Sequence, residues 1–196
     1  IAFAKEIGCC VKLLGIYHRD GDRVDARVHP CFVSNENLLS NVNGVINAVY
    51  LKCDNLGETV QTGAGAGRLP TASAVVADLV SLARSVDTGS RKALPMGWFN
   101  VDNSATLVPI SETSARYYLR FTSRDACGVL AKITSVLAEN NISIETIIQK
   151  NVKDPGKVSI VVITEKTQDC KASKAVDAID ALPEIVEKSQ VIRFLA

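Results

Sequence analysis

The sequence has few of the residues that metal sites and nucleic-acid surfaces require. Its 196 residues include only 2 histidines and 6 cysteines, and 22 Lys and Arg residues nearly balance 21 Asp and Glu residues, for a net charge of +1. The cysteines form no Cys-x-x-Cys pair, so we expect no metal site. The balanced charge gives no basic footprint, so we expect no nucleic-acid partner.

Long apolar runs and targeting segments are also missing. No run approaches the roughly 20 apolar residues that span a bilayer, and nothing resembles a signal peptide. We therefore expect a cytoplasmic protein without a membrane partner, whose cysteines are buried free thiols. The chain opens within a helical pattern that ends at the C-cap glycine Gly8, without an initiator methionine. This pattern predicts a fragment of a longer protein.

Apolar and alternating runs in the first 62 residues predict a sheet of about four short, mostly antiparallel strands. These runs lie at 11–17, 24–28, 45–51 and 58–62. The first run is suited to a strand buried on both faces, and the second, with Ala26 and Val28 inward, to a half-buried strand. Asp20-Gly21 predicts a hairpin turn between them, and Pro30 should end the pairing.

A glycine run, Gly63-Ala-Gly-Ala-Gly67, precedes a helix that starts at Pro70-Thr71. Glycines let the backbone approach a ligand closely, and a helix N-terminus presents free N–H groups to an anion. The run alone fits a tight strand-to-helix crossover equally well, and its spacing is not that of the dinucleotide fingerprint. The helix is apolar over most of its circumference, which predicts burial against more than one neighbour.

The rest of the sequence predicts a linker and then a second, differently organised domain. Residues 87–113 lack a sustained period and are punctuated by glycine and proline. Residues 114–196 follow the order β-α-β-β-α-β, the ferredoxin-like arrangement, so the fold class is α+β. Both helices of this arrangement lie on one face of the sheet. We therefore expect an open face and free edges that favour self-association.

Two candidate sites follow from residue types alone. Asp125-Ala-Cys-Gly128 leads into a helix, where N–H groups suit a carboxylate and the Asp125 side chain suits an ammonium group. The same residues equally fit an aspartate helix cap with a glycine turn. His29 has no acidic or nucleophilic partner placed by the sequence, so we expect a structural role for it.

Five segments of residues 1–86 resemble the homoserine dehydrogenase family, in the family's order and spacing. They are Val11-Lys-Leu-Leu14, Ala26-Arg-Val-His-Pro30, Ser40-Asn-Val-Asn-Gly-Val45, Asn47-Ala-Val49 and the stretch Gly63–Leu79. The resemblance implies a cofactor-binding loop at Gly67, with Gly65, Ala66 and Thr71 beside it. It also implies a parent enzyme of threonine, methionine and isoleucine biosynthesis that interconverts L-homoserine and L-aspartate 4-semialdehyde with NAD(P).

Two parts of that family have no counterpart in these residues. One is the N-terminal G-x-G-x-x-G dinucleotide fold, and the other is the Gly-x-Asp-x-x-x-Lys segment that serves hydride and proton transfer. We therefore expect no catalytic residue in this chain, no cofactor bound to it and no activity from it alone. NAD(P) would belong to the full-length enzyme.

Three segments of the last 82 residues resemble the ACT domain, over about 115–196. They are Tyr118-Leu-Arg-Phe-Thr122, Asp125-Ala-Cys-Gly-Val-Leu130 and Asn141-Ile-Ser-Ile-Glu145. ACT domains pair through their sheets and bind amino acids at the interface, so the resemblance implies a homo-oligomer. L-threonine, the pathway end product, is the expected effector. The implied effector-binding residues are Asp125, Cys127, Gly128, Val129, Leu130, Asn141, Ile142, Ser143 and Gln149.

The predicted organisation has three parts. Residues 1–86 form the C-terminal part of a homoserine dehydrogenase catalytic domain, 87–113 a linker, and 114–196 an ACT regulatory domain. The alternatives are a stand-alone amino-acid-binding regulator and an ACT domain that serves dimerisation alone. A stand-alone regulator needs a first domain with its own covered core, which the apolar helix after the glycine run argues against.

Overall fold

The computed structural model describes residues 1–87, 104–151 and 154–195. The chain divides into two compact units, Ile1–Ser34 with Ser104–Ala196, and Asn35–Asn103. The helices and strands in chain order are α1 (Ala2–Glu6), β1 (Cys9–Asp20), β2 (Arg23–Ser34), β3 (Ile46–Cys53), β4 (Gly57–Ala64), α2 (Arg68–Asp87), β5 (Thr106–Leu107), β6 (Ser114–Ala115), β7 (Tyr117–Arg124), α3 (Val129–Glu139), β8 (Ile144–Asn151), β9 (Lys157–Thr164), β10 (Thr167–Gln168), α4 (Asp169–Asp180) and β11 (Ile185–Phe194). Short 3₁₀ helices lie at Leu38–Asn41 and Ile110–Glu112.

Residues 117–194 form the β-α-β-β-α-β fold, which confirms the predicted ferredoxin-like arrangement and α+β class. The four strands lie in the order β11-β7-β9-β8, and each pair is antiparallel. Both helices pack against one face of this sheet. Their shared core contains Tyr117, Leu119, Phe121, Val129, Ile133, Leu137, Ile142, Val158, Ile160, Val162, Ala172, Ala175, Val176 and Ile179.

Helix α3 is bounded at both ends by residues with a left-handed backbone. Gly128, just before its first turn, has a φ of +86°, and Asn141, just after its last turn, has a φ of +55°. Glycine and asparagine tolerate this conformation better than other residues, so they fix where the helix begins and ends. Val129, Ile133 and Leu137 recur every four residues between them and fill the core beneath the helix.

Strands β1 and β2 form an antiparallel hairpin that extends the same sheet. Asp20 pairs with Arg23, which confirms the predicted turn at Asp20-Gly21. At its other end, β2 pairs in parallel with β11, where Cys31 lies beside Arg193 and the next residues pair likewise. The hairpin and the ferredoxin-like strands therefore form one continuous sheet.

The second face of this sheet is also covered, so the expectation of an open face is wrong. Helix α1 lies on that face, and the ring of Phe3 is 5.0 Å from the ring of Tyr118. Phe32 of β2 lies 5.0 Å from Tyr118 and 5.3 Å from Phe194, both edge to face. The rings supply the apolar cover that the sequence pattern of residues 114–196 lacks. Self-association stays a prediction.

The structure corrects the predicted faces of the hairpin. Leu13 and Tyr17 are exposed, so β1 is not buried on both faces. Ala26 and Val28 point outward as well, because the alternate residues of β2 continue the inward face that Cys31 occupies. Pro30 lies within β2, not at its end. Between residues 25 and 30, β2 has a described partner on one side only, and a proline fits where N–H groups point to the unpaired side.

In the unit Asn35–Asn103, β3 and β4 pair as an antiparallel hairpin from Ile46 with Ala64 to Cys53 with Gly57. They form a two-stranded sheet of their own, whereas β1 and β2 belong to the larger sheet. The predicted sheet of about four strands is therefore wrong. Its strands exist, but β11 rather than β3 or β4 is the neighbour of β2.

Helix α2 is apolar and exposed along its length in this structure. Leu69, Leu79 and Val86 are among its exposed side chains, so the burial expected from its composition does not come from the described residues. Its stretch Arg68–Val86 is long and apolar enough to cross a membrane by length and composition, with a mean hydropathy of 1.3. One such helix is weak support for a membrane span, since the core helix of a soluble protein passes the same test.

The compact units divide the chain differently from the predicted domain boundaries at 86 and 113. Residues 1–34 pack with the ferredoxin-like fold because β2 pairs with β11 and α1 covers the sheet. Of the predicted linker, 104–113 is described, and its strand β5 pairs with the start of β2. The remainder, 88–103, lies outside the described residues. The domain boundaries themselves stay a prediction.

We predict that Phe32→Ala destabilises the unit Ile1–Ser34 with Ser104–Ala196 by about 3–5 kcal/mol, the cost of removing a buried phenylalanine ring. Phe32 is 3% exposed and contacts two other rings. Urea unfolding followed by circular dichroism measures the change. Tyr17→Ala is the matched control, since Tyr17 is 67% exposed, and its effect should stay within about 0.5 kcal/mol. Equal effects of the two variants would contradict the packing described here.

Candidate effector-binding site

A cavity of about 290 Å³ lies where β7 ends and α3 begins. The loop 124–128 and the first turn of α3 form its rim, and strands β8 and β9 supply the rest of its lining. The lining residues are Arg124, Asp125, Ala126, Cys127, Gly128, Val129, Leu130, Gln149, Val158 and Ile160. Polar groups therefore surround the opening, and two buried aliphatic side chains of β9 lie beneath it.

Six of the nine residues that the ACT resemblance implied lie in this lining, and three do not. The six are Asp125, Cys127, Gly128, Val129, Leu130 and Gln149. Asn141, Ile142 and Ser143 follow the other end of α3, and Ile142 is buried in the core. Since α3 has 11 residues, its two ends are about 16 Å apart. A single small ligand cannot touch both ends within one chain.

Four lining residues were missed by reasoning from the sequence. Arg124 and Ala126 belong to the same loop as the predicted residues, and their proximity was the available signal. Val158 and Ile160 belong to β9, and only the pairing of β9 with β7 and β8 brings them under the loop. No local pattern in the sequence specifies that register.

The N-terminus of α3 carries no side-chain cap. Gly128 is the N-cap residue, and no side chain accepts a hydrogen bond from the first turn. The backbone N–H of Asp125 donates to the carbonyl of Gly156 (2.9 Å), while the Asp125 carboxylate is exposed at the rim. The alternative of an aspartate helix cap is therefore wrong. The first N–H groups of a helix have no partner within the helix, so they are available to an anion.

Residue Glu184 anchors one side of the rim. Its carbonyl accepts the backbone N–H of Arg124 (2.9 Å), and its carboxylate accepts a hydrogen bond from Lys132 of α3 (2.5 Å). The hydrogen bond from Lys132 lowers the pKa of Glu184. Loop and helix are thus both tied to the residue that precedes β11.

A second group of polar side chains lies on the same face of the sheet, away from the cavity. The Tyr117 hydroxyl donates to Asp169 Oδ1 (2.9 Å), and Arg193 forms an ion pair with the same carboxylate. Burial, together with the charge of Asp169, raises the pKa of Tyr117 to about 12. These contacts connect β7, the start of α4 and β11, which is a structural role.

His29 faces this group from β2. Its Nδ1 lies 3.1 Å from the carbonyl oxygen of Pro30 and 3.2 Å from Cys31 Sγ. Burial lowers the pKa of His29, and the nearby Arg193 and Arg27 lower it further. A neutral, half-buried imidazole without a hydrogen-bonded carboxylate fits the structural role expected for it.

The predicted cofactor loop lies in the other unit, between β4 and α2. Gly67 has a φ of +129°, and its carbonyl accepts the N–H of Thr71 (3.0 Å) in the first turn of α2. A Cβ at Gly65 would overlap the side-chain amide of Asn47. Glycine is therefore required for space at one position and for backbone conformation at the other. Cofactor contact at Gly65, Ala66, Gly67 and Thr71 stays a prediction.

All six cysteines lie in described ranges, and each is a free thiol there. Cys9 and Cys31 are buried, but Cys53, Cys127 and Cys170 are exposed, so the expectation of buried thiols is wrong for three of them. Within the described ranges, no three His, Cys, Asp or Glu side chains lie close enough together to hold a metal ion.

The fold and the cavity place the second half of the chain in a class of small ligand-binding domains. Residues 117–184 match the sequence model of the ACT domain. Residues 1–80 match the sequence model of homoserine dehydrogenase. The chain therefore belongs to the homoserine dehydrogenase family and carries an ACT domain after its family segment.

Individual relatives agree with this assignment. The chain is 42% identical to a homoserine dehydrogenase from Neisseria gonorrhoeae over 96% of its own length, and 37% identical to one from Helicobacter pylori over 97%. A crystal structure of a homoserine dehydrogenase from Thiobacillus denitrificans superposes with a TM-score of 0.85 at 36% identity, over 99% of this chain and 44% of the other. The chain spans 43–44% of the length of these curated relatives.

We predict that Tyr117→Phe lowers stability by about 1.5–3 kcal/mol at neutral pH, because a hydrogen bond to a buried carboxylate is lost. The pKa of Tyr117 is raised from 10.0 to about 12. The folded state therefore holds a proton that the unfolded state releases, and stability falls as the pH rises from 10 through about 12. Urea unfolding below and above pH 10 should show a smaller fall for the variant than for the parent. Tyr17→Phe, at an exposed position, should leave the fall unchanged; a fall that survives Tyr117→Phe undiminished would refute the assignment.

Proposed function

We propose that the chain is the C-terminal portion of an NAD(P)-dependent enzyme that interconverts L-homoserine and L-aspartate 4-semialdehyde. Its ACT domain binds L-threonine and so regulates the enzyme by feedback. The observation that carries the regulatory half is the cavity at the β7–α3 loop, where six implied effector residues converge. The family segment and the ACT domain on one chain support the enzymatic half.

The chemistry of the rim suits the two charged groups of an amino acid. The uncapped first turn of α3 offers backbone N–H groups to the carboxylate, and Gly128 lets that backbone lie open to the ligand. The Asp125 carboxylate is exposed beside them and accepts hydrogen bonds from the ammonium group. Both charges of the ligand thus find partners of opposite sign within one loop.

Two chains explain the implied residues that one chain leaves apart. Asn141 and Ser143 lie about 16 Å from the rim in the same chain. The pairing of ACT domains through their sheets would bring the 141–143 segment of one chain to the cavity of another. We therefore propose a homo-oligomer in which each effector contacts both chains.

The enzymatic half of the proposal requires more than the described residues. The exposed apolar surface of α2 needs a cover, and the glycine loop beside it needs the dinucleotide fold of the parent enzyme. NAD(P) binding, catalysis and a cytoplasmic location belong to that full-length protein. The chain alone should be inactive.

Calorimetric titration of the chain with L-threonine, with light scattering for its mass, tests the regulatory half. We expect saturable heat from a dimer, because the cavity and its rim lie in a unit with its own core. L-Lysine, whose long cationic side chain does not suit the apolar floor, serves as the control ligand. A clean dimer that binds no threonine would leave the ACT domain as an assembly element.

We further predict that Asp125→Asn weakens threonine binding by about tenfold to a hundredfold, because one charge-assisted hydrogen bond to the ammonium group is lost. Asp54→Asn, an exposed aspartate in the turn between β3 and β4, is the matched control and should bind as the parent does. The same calorimetric titration measures both. Unchanged affinity in Asp125→Asn would remove Asp125 from the site.

A further inference from the structure

The hydroxyl of Ser123 is buried without a hydrogen-bond partner. Ser123 is 0% exposed, and its Oγ contacts no donor or acceptor among the described residues. Buried hydroxyl groups in folded proteins nearly always have a partner, so an unpartnered one needs an explanation. The protein backbone around it is fully paired in the sheet, which leaves a ligand as the missing partner.

The position of Ser123 places this hydroxyl at the floor of the effector cavity. Its Cα pairs with that of Val158, and Phe121, two residues earlier, pairs with Ile160. Phe121, Val158 and Ile160 all belong to the core under the helices, so the two-residue period of a strand turns Ser123 to the same face. Val158 and Ile160 line the cavity, as does Arg124, the next residue in the chain.

The distribution of polarity sets the orientation of a bound amino acid. Its carboxylate and ammonium groups find partners at the rim, at the first turn of α3 and at Asp125. Its side chain then points to the floor, where Val158 and Ile160 are 3% and 1% exposed. This floor is apolar except for the hydroxyl of Ser123. A side chain with one methyl and one hydroxyl branch satisfies both parts of it.

We infer that Ser123 is a specificity-determining residue of the effector cavity, where its hydroxyl hydrogen-bonds the side-chain hydroxyl of a small β-hydroxy amino acid. The inference rests on the proposed function, since it requires an amino acid in this cavity. It assigns the discrimination between L-threonine and its near-isostere L-valine to one side chain. The two ligands differ only by a hydroxyl in place of a methyl group.

The test compares L-threonine and L-valine by calorimetry on the whole chain and on its Ser123→Ala variant. The parent should prefer threonine by about tenfold, the effect of one neutral hydrogen bond on affinity. Ser123→Ala should bring the ratio of the two dissociation constants close to one. Ser159→Ala is the matched control, because Ser159 lies on the neighbouring strand with its side chain on the opposite face. It should keep the preference of the parent.

Thermal unfolding separates this role from a structural one. Ser123→Ala should be at least as stable as the parent, because its hydroxyl has no partner in the protein to lose. A clear loss of stability would mean a structural partner and would overturn the inference. So would equal binding of threonine and valine by the parent, or a preference that survives in Ser123→Ala; in either case the proposed amino-acid site stands. If neither amino acid binds, the proposed function fails and this inference fails with it.

Discussion

The parallel pairing of β2 with β11 is the contact on which the larger unit depends. It covers only Cys31 with Arg193 and Phe32 with Phe194, yet it joins the first 34 residues to the ACT sheet. Phe32 makes this short contact strong, because its ring packs against Tyr118 as well as Phe194. An edge-to-face pair contributes about 0.5–1.5 kcal/mol beyond its buried area. Part of the homoserine dehydrogenase segment and the ACT domain therefore form one compact unit.

This shared sheet gives the proposed regulation a physical route. Glu184, at the rim of the effector cavity, directly precedes β11, and the last residues of β11 pair with β2. At about 3.3 Å per residue, the 10 residues of β11 span about 33 Å between these ends. Coupling between sites needs an element that both sites bias between two arrangements. β11 is the described element that contacts both, and the Arg193–Asp169 ion pair ties it to α4 as well.

The sequence predicts the ACT fold well because that fold is specified locally. Gly128 and Asn141 bound α3, and the period of Val129, Ile133 and Leu137 defines its buried face. The hairpin β1–β2 was harder, since its inward face carries polar residues that only its neighbours in space make acceptable. The floor of the cavity was not predictable for a related reason. The strand β9 reaches it through register, which depends on the whole sheet rather than on any short pattern.

The two parts of the chain differ in how far their own residues satisfy them. The ACT domain has apolar clusters on both faces of its sheet, so an effector meets a surface that already has its final shape. Helix α2 presents its apolar side chains to solvent, and the glycine loop next to it lies exposed. Burial of apolar surface is the main driving force for association. Effector binding should therefore depend on the ACT cavity alone, whereas catalysis should depend on whatever covers α2, and the two properties can be lost separately.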